Sequence, residues 1–167
     1  ANLSNPSYLI NGKSLPALSY TSGQSYVNQY LPNTNVMARF IYVINFFAKN
    51  GFYVLIDNHS EDNSMTSNQV AWTANWKSLA TTIKNGMPVA SSNRVMYDLR
   101  NEPDAVGYNW TQMGPLYLAT MDAINSVTNG NNLFFIEGSG QGGAGANWGD
   151  GFVTNQALIQ QYGLSNP

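Results

Sequence analysis

Three short apolar runs, at residues 52–56, 95–99 and 133–136, start roughly 40 residues apart, and each is followed by polar or charged side chains. Runs of this length suit strands, and the first, apolar throughout, reads as a strand buried on both faces. The segments between them have helical periodicity. Val36, Phe40, Val43, Ile44 and Phe47 recur at helical spacing, and Asn50-Gly51 supplies a stop. A second helix is expected at about residues 67–85, with Val70, Trp72, Trp76, Leu79, Ala80 and Ile83 on its apolar side. A third, at about residues 112–127, carries Leu116, Leu118, Met121, Ile124 and Val127 and ends at Asn129-Gly130. Residues 155–162 predict a last short helix. Strands alternating with helices imply βα units, a parallel sheet and right-handed crossovers.

A closed barrel of eight such units needs about 250 residues. Three strands in 167 residues form only part of one. The first 35 residues are rich in Asn, Ser, Pro, Tyr and Gly with little periodicity, and read as a long loop or packed N-terminal segment of a single domain, residues 1–167.

With 43% hydrophobic and 13% aromatic residues the chain has the material for a core, which excludes a disordered protein. A net charge of -2, from only 10% charged residues, leaves no basic footprint for nucleic acid. Asn, Gln, Ser, Thr and Tyr take the place of charge, a surface suited to a secreted protein that handles neutral polar ligands such as sugars. No apolar run approaches the roughly 20 residues of a membrane span. No leader opens the sequence, so an exported protein is here in mature or trimmed form. The absence of cysteine excludes disulfides, thiolate metal sites and a cysteine nucleophile. Sequons at Asn2, Asn58 and Asn109 matter only in a eukaryotic secretory pathway, and chance explains them in so Asn-rich a chain.

The chemistry concentrates at strand ends. Asn101-Glu102-Pro103 closes the run at 95–99, so an amide and a carboxyl stand at the carboxyl end of a strand, where parallel α/β folds keep their active sites. The run at 52–56 delivers Asp57, Asn58 and His59 to the same edge, and that at 133–136 delivers Glu137. Asp57 and Asp98, short of the strand ends, read as buried acids that hold loops; Glu61 and Asp62 read as solvated or rim residues. Residues 138–143 match G-x-G-x-x-G after a strand, but further glycines follow in place of a helix, and no acidic residue beyond Asp150 is present for a ribose. A glycine-rich loop beside a substrate cleft is the better reading, with Trp148 as a sugar-stacking platform. One histidine does not make a zinc site, and no G-x-S-x-G elbow occurs. No metal or other cofactor is expected. Trp72 and Trp76 read as core residues, whereas Trp110, in the loop after Glu102, is a candidate sugar contact.

The order of these landmarks resembles glycoside hydrolase family 5, the cellulases and mannanases. The residues that carry the resemblance are Gly51-Phe-Tyr-Val-Leu-Ile-Asp57-Asn-His59, Trp72 and Trp76, Val95-Met-Tyr-Asp-Leu-Arg-Asn101-Glu102-Pro103, and Leu133-Phe-Phe-Ile-Glu137-Gly138, within residues 36–160. The resemblance implies an α/β, partial (β/α)8 TIM barrel, with the three runs as its third, fourth and fifth strands. It implies that Glu102 is the catalytic acid/base, that Asn101 bonds the sugar 2-hydroxyl, and that His59 is the histidine closing strand three. A retaining glycosidase needs a second carboxylate roughly 5 to 5.5 Å from the first. In the family that nucleophile follows strand seven, beyond the matching region. Glu137 follows the adjacent strand and reads either as a replacement or, more simply, as a carboxylate bonded to loop amides at the substrate-binding rim. Two functions follow: part of a working retaining β-glycanase acting on a β-1,4-linked polysaccharide such as cellulose, or a hydrolase-derived structural or carbohydrate-binding protein. An open parallel sheet favours an oligomer or a complementing polypeptide in either case.

Overall fold

The computed structural model describes residues 9–10, 13–14, 36–59, 64–103, 108–138, 152 and 155–163. Within Ile41–Pro167, β3 (Val54–Asp57), β4 (Val95–Asp98) and β5 (Phe134–Phe135) form a parallel sheet in the order β3-β4-β5. Two short strands precede them, β1 (Leu9–Ile10) and β2 (Lys13–Ser14). Those two pair antiparallel, Leu9 opposite Ser14, within a compact unit that spans Ala1–Phe40. The rest of the chain, Ile41–Pro167, is the second unit and holds the parallel sheet.

In the parallel sheet Val54 pairs with Val95, Asp57 with Asp98, and Tyr97 with Phe134. This register gives the two faces different fates, because side chains alternate along each strand. Val54, Ile56, Val95, Tyr97 and Phe134 share the helix-facing side, where Val95 and Tyr97 are fully buried. Tyr97 receives the edge of Trp76 at a centroid distance of 6.1 Å and stacks on Phe134 at 5.9 Å. The other face carries Leu55, Met96 and Phe135, and its outer members are open, Leu55 at 42% and Phe135 at 45% exposure. The expectation of a first strand buried on both faces is therefore corrected. Three strands present no opposing wall, and on the side a barrel would enclose Leu55 and Phe135 stay open while Asp98 near the strand ends is buried.

The helices follow from local chemistry. α1 (Val36–Lys49) ends where Gly51 adopts φ +94°, a conformation that costs glycine little, and Asn50 Nδ2 donates to the Phe46 carbonyl at 2.6 Å. Within Ile41–Lys49 the buried positions are Ile44 and Ala48, while Val43 and Phe47 stay exposed. The expected stripe is wider than the face that packs. α2 (Ser64–Ser67) leads into α3 (Gln69–Gly86), which begins after Asn68, whose side chain accepts from the Ala71 amide at 3.0 Å. Trp72, Trp76, Ala80 and Ile83 line its buried side, but Val70 is 82% exposed, a correction to the expected apolar face. A one-turn helix, α4 (Val89–Ser92), precedes β4.

α5 (Trp110–Thr128) starts two residues earlier than expected because Asn109 and Gln112 form a reciprocal capping box. It ends at Asn129 and Gly130, both with positive φ. Its buried stripe includes Thr120 and Thr128 beside Leu116 and Ile124, and the Thr73 and Thr120 hydroxyls meet at 3.0 Å between α3 and α5. α6 (Gln156–Gln161) is followed by Tyr162, whose ring lies over Gly114 of α5. A Cβ at Gly114 would stand 2.3 Å from that ring, so this position requires glycine.

Candidate active site

The carboxyl ends of β3 and β4 are held together beyond the strands themselves. The Asn58 amide donates to the Asp98 carbonyl at 3.2 Å, and the Asn101 amide donates to the Asn58 carbonyl at 3.1 Å. The ladder therefore continues into both loops and places His59 and Asn101 side by side. His59 Nδ1 lies 2.7 Å from Asp57 Oδ2, so its N–H donates to the carboxylate. That leaves Nε2 as the acceptor for Asn101 Nδ2, at 3.4 Å. The result is a relay of orienting bonds, Asp57 to His59 to Asn101, that stops one residue short of Glu102. The Asp57 hydrogen bond, then its charge, raises the His59 pKa above the ordinary value, and the Glu102 and Glu137 charges add to this.

Glu102 is half-buried, and its backbone adopts φ +49°, a left-handed conformation uncommon outside glycine. Holding such a residue costs on the order of 1–3 kcal/mol, which its surroundings must offset. Its amide donates to Glu137 Oε2 at 2.8 Å. Glu137 in turn is anchored through its carbonyl, which accepts from the Tyr117 hydroxyl at 3.0 Å. Pro103, immediately after Glu102, is fully buried and roots the loop. Beneath these groups lies Asp98, 8% exposed, with Oδ1 lacking any hydrogen-bond partner. Burial first, then the charges of Glu137 and Asp57, push its carboxyl up to about 6.

Three of the expected site residues, Glu102, Asn101 and His59, thus come together on one edge, and Glu137 joins them. Trp110 does not. It is the first residue of α5, 1% exposed, with its ring against Tyr117 and 5.1 Å from Phe152. The expectation that it meets sugar is corrected: the capping box starts the helix at Trp110 and turns the indole into the core. Gly138 permits this, because a Cβ there would stand 3.1 Å from Trp110 and 3.0 Å from Phe152. Trp148, Glu61, Asp62, Asp150 and the glycine-rich loop after Gly138 lie outside the described residues. Tyr117 was not foreseen, because within the helical stripe of α5 it is indistinguishable from a core aromatic. Asp57 as the partner of His59 was legible in the i, i+2 spacing, which sets both on one side of an extended segment.

Among the described residues no group of three or more His, Cys, Asp or Glu could hold a metal ion, and no helix is long and apolar enough to cross a membrane. A cavity of about 80 Å3, lined by Ile83, Ser92, Thr128 and Asn132 among others, lies toward the amino ends of the strands, away from Glu102. It has room for a few waters and not for a sugar.

A parallel βα sheet that displays a carboxyl, an amide and an imidazole along its carboxyl edge defines an enzyme scaffold of the (β/α)-barrel type. The chain belongs to the cellulase family, glycosyl hydrolase family 5, whose family model matches residues 17–162. No curated protein and no solved structure matches it.

Proposed function

We propose that this protein acts as a retaining β-glycosidase on a β-1,4-linked polysaccharide, a glucan such as cellulose, outside the cell. The observation that carries this reading is the fixed row Asp57, His59, Asn101, Glu102 at the carboxyl edge of the sheet in a family 5 chain. Glu102 is the acid/base that protonates the leaving glycosidic oxygen and later deprotonates the incoming water. The Asn101 amide, with one N–H directed at His59, keeps its carbonyl oxygen for the sugar 2-hydroxyl, a bond that strengthens as the oxocarbenium-like transition state forms. His59 holds that amide, and Trp148 offers a ring for sugar stacking.

The nucleophile is a further carboxylate. Glu137 is the described glutamate beside Glu102, and its Oε2 is occupied by the Glu102 amide. In this reading the nucleophile comes from protein that closes the open side of the sheet, in a second polypeptide or an oligomer, and Glu137 keeps its bond to the Glu102 amide. The engagement of Glu137 by the Glu102 amide favours a second reading, a hydrolase-derived structural or carbohydrate-binding protein that binds β-glycan without cleaving it.

The test is release of reducing sugar from soluble β-1,4-glucan and β-1,4-mannan by the protein and by Glu102→Gln, with native mass spectrometry of the same sample. Hydrolysis that falls by on the order of a thousandfold or more in Glu102→Gln supports the enzyme reading. Equal activity in both proteins would sink it, and retained binding without turnover moves the assignment to the second reading.

A further inference from the structure

The left-handed backbone of Glu102 needs something to hold it. The side chain in contact with its amide is that of Glu137, which follows a different strand, β5, and is separately fixed. β5 is paired to β4, with the Leu99 amide donating to the Phe135 carbonyl at 3.3 Å. The Tyr117 hydroxyl bonds the Glu137 carbonyl, and Gly138 lies tight under Trp110 and Phe152. Glu137 therefore starts from a rigid base, while the loop carrying Glu102 runs from the end of β4. An ionised acceptor also makes a stronger bond to an amide than a neutral one.

We propose that Glu137 is a positioning residue for Glu102: its carboxylate captures the Glu102 amide, holds that backbone left-handed, and so sets where the Glu102 carboxyl is presented to substrate. Glu137 is then neither the nucleophile nor a sugar contact but the brace behind the acid/base. The role in catalysis rests on the assignment of Glu102 as acid/base; the capture of the amide does not. A bond 2.8 Å long from the loop after β4 to a side chain 35 residues on, just past β5, fixes the loop relative to β5. Displacing a reacting group by about 1 Å costs up to on the order of a hundredfold in rate.

The deciding experiment is backbone NMR of the full 167-residue chain and of Glu137→Gln and Glu137→Ala. Titratable groups surround Glu137: Asp57, Asp98, His59, Glu102 and Tyr117, with the Arg100 charge nearby. The Glu102 amide shift is therefore assigned by its change in the variants and not by its midpoint. The native Glu102 amide is expected downfield, as a donor to a carboxylate. Glu137→Gln should move it upfield while the α3 and α5 resonances stay in place. Glu137→Ala should also shift the Glu102 Cα and Cβ away from left-handed values. Glu102 resonances in both variants that superimpose on the native ones would overturn the proposal. If Glu137→Ala does not fold, the isosteric Glu137→Gln decides alone. Where hydrolysis is present, Glu137→Ala should lower kcat by roughly tenfold to a hundredfold with KM little changed, and Glu137→Gln should recover most of it. A native protein without hydrolysis refutes the enzyme assignment, and the amide shifts still decide whether Glu137 braces Glu102.

Discussion

Two side chains at the edge of the sheet have raised pKa values for different physical reasons. Asp98 is buried with an unpartnered oxygen, and its carboxyl titrates near 6 when folded, against about 4 in an unfolded chain. The folded state therefore holds that proton more tightly, and the neutral carboxyl stabilises the fold below about pH 4, a contribution lost as the pH rises through about 6. Asp98→Asn should raise stability at pH 8 by about 1–2 kcal/mol and flatten the pH dependence between those values. Urea unfolding across the range checks this, and an unchanged or lower stability at pH 8 contradicts it. His59 has the same sign for another reason: its exposed ring gains a carboxylate partner, so its ion pair is fully present below about pH 6.5 and is lost as the pH rises through the raised folded value. Asp57→Asn should move the His59 titration down toward that of a free imidazole, read from its ring resonances. A protonated ring carries N–H on both nitrogens, so acidification also breaks the acceptor role of Nε2 toward Asn101. The types of these residues were visible in the sequence. Their protonation was not, because it depends on which charges the register of β3, β4 and β5 brings together.

At the scale of elements, caps and tight approaches decide where helices begin and how closely they pack. The Asn109 and Gln112 box starts α5 at Trp110, and its signature, Asn with Gln three residues on, stands in the sequence. Asn109→Ala should cost about 1 kcal/mol in thermal unfolding. Gly114→Ala should cost more, on the order of 1–3 kcal/mol, since the added methyl meets the Tyr162 ring close to its root, where rotation gives little relief. A Gly114→Ala protein as stable as the native one would mean that α6 and Tyr162 do not dock on α5 in solution. Periodicity placed α3 and α5 within two residues, because long amphipathic stretches average over single errors. It misjudged Val70 and the flank of α1, because a sequence stripe gives the width of the apolar surface and not the width of the surface that covers it.

For the molecule as a whole, the unequal faces of the parallel sheet are the main feature. One is sealed by α3 and an aromatic row of Trp76, Tyr97 and Phe134; the other leaves Leu55 and Phe135 open. Exposed apolar surface beside unpaired strand edges favours association. If protein that completes the barrel covers this face, native mass spectrometry should find an assembly heavier than one 18.3 kDa chain, and Leu55→Lys with Phe135→Lys should weaken it. A monomer whose stability those substitutions leave unchanged would exclude the open face as an interface.

The sequence by itself determined the βα alternation, the positions of the three parallel strands, and the gathering of Asn101, Glu102 and His59 at their carboxyl ends, since periodicity and strand direction are local properties. Only the tertiary structure decided that Trp110 is core, that Glu137 receives the Glu102 amide, and that Glu102 stands in a left-handed backbone. Each of these is a contact across strands or between a loop and a helix, and no pattern along the chain encodes the distance between residues that meet only after the sheet has set its register.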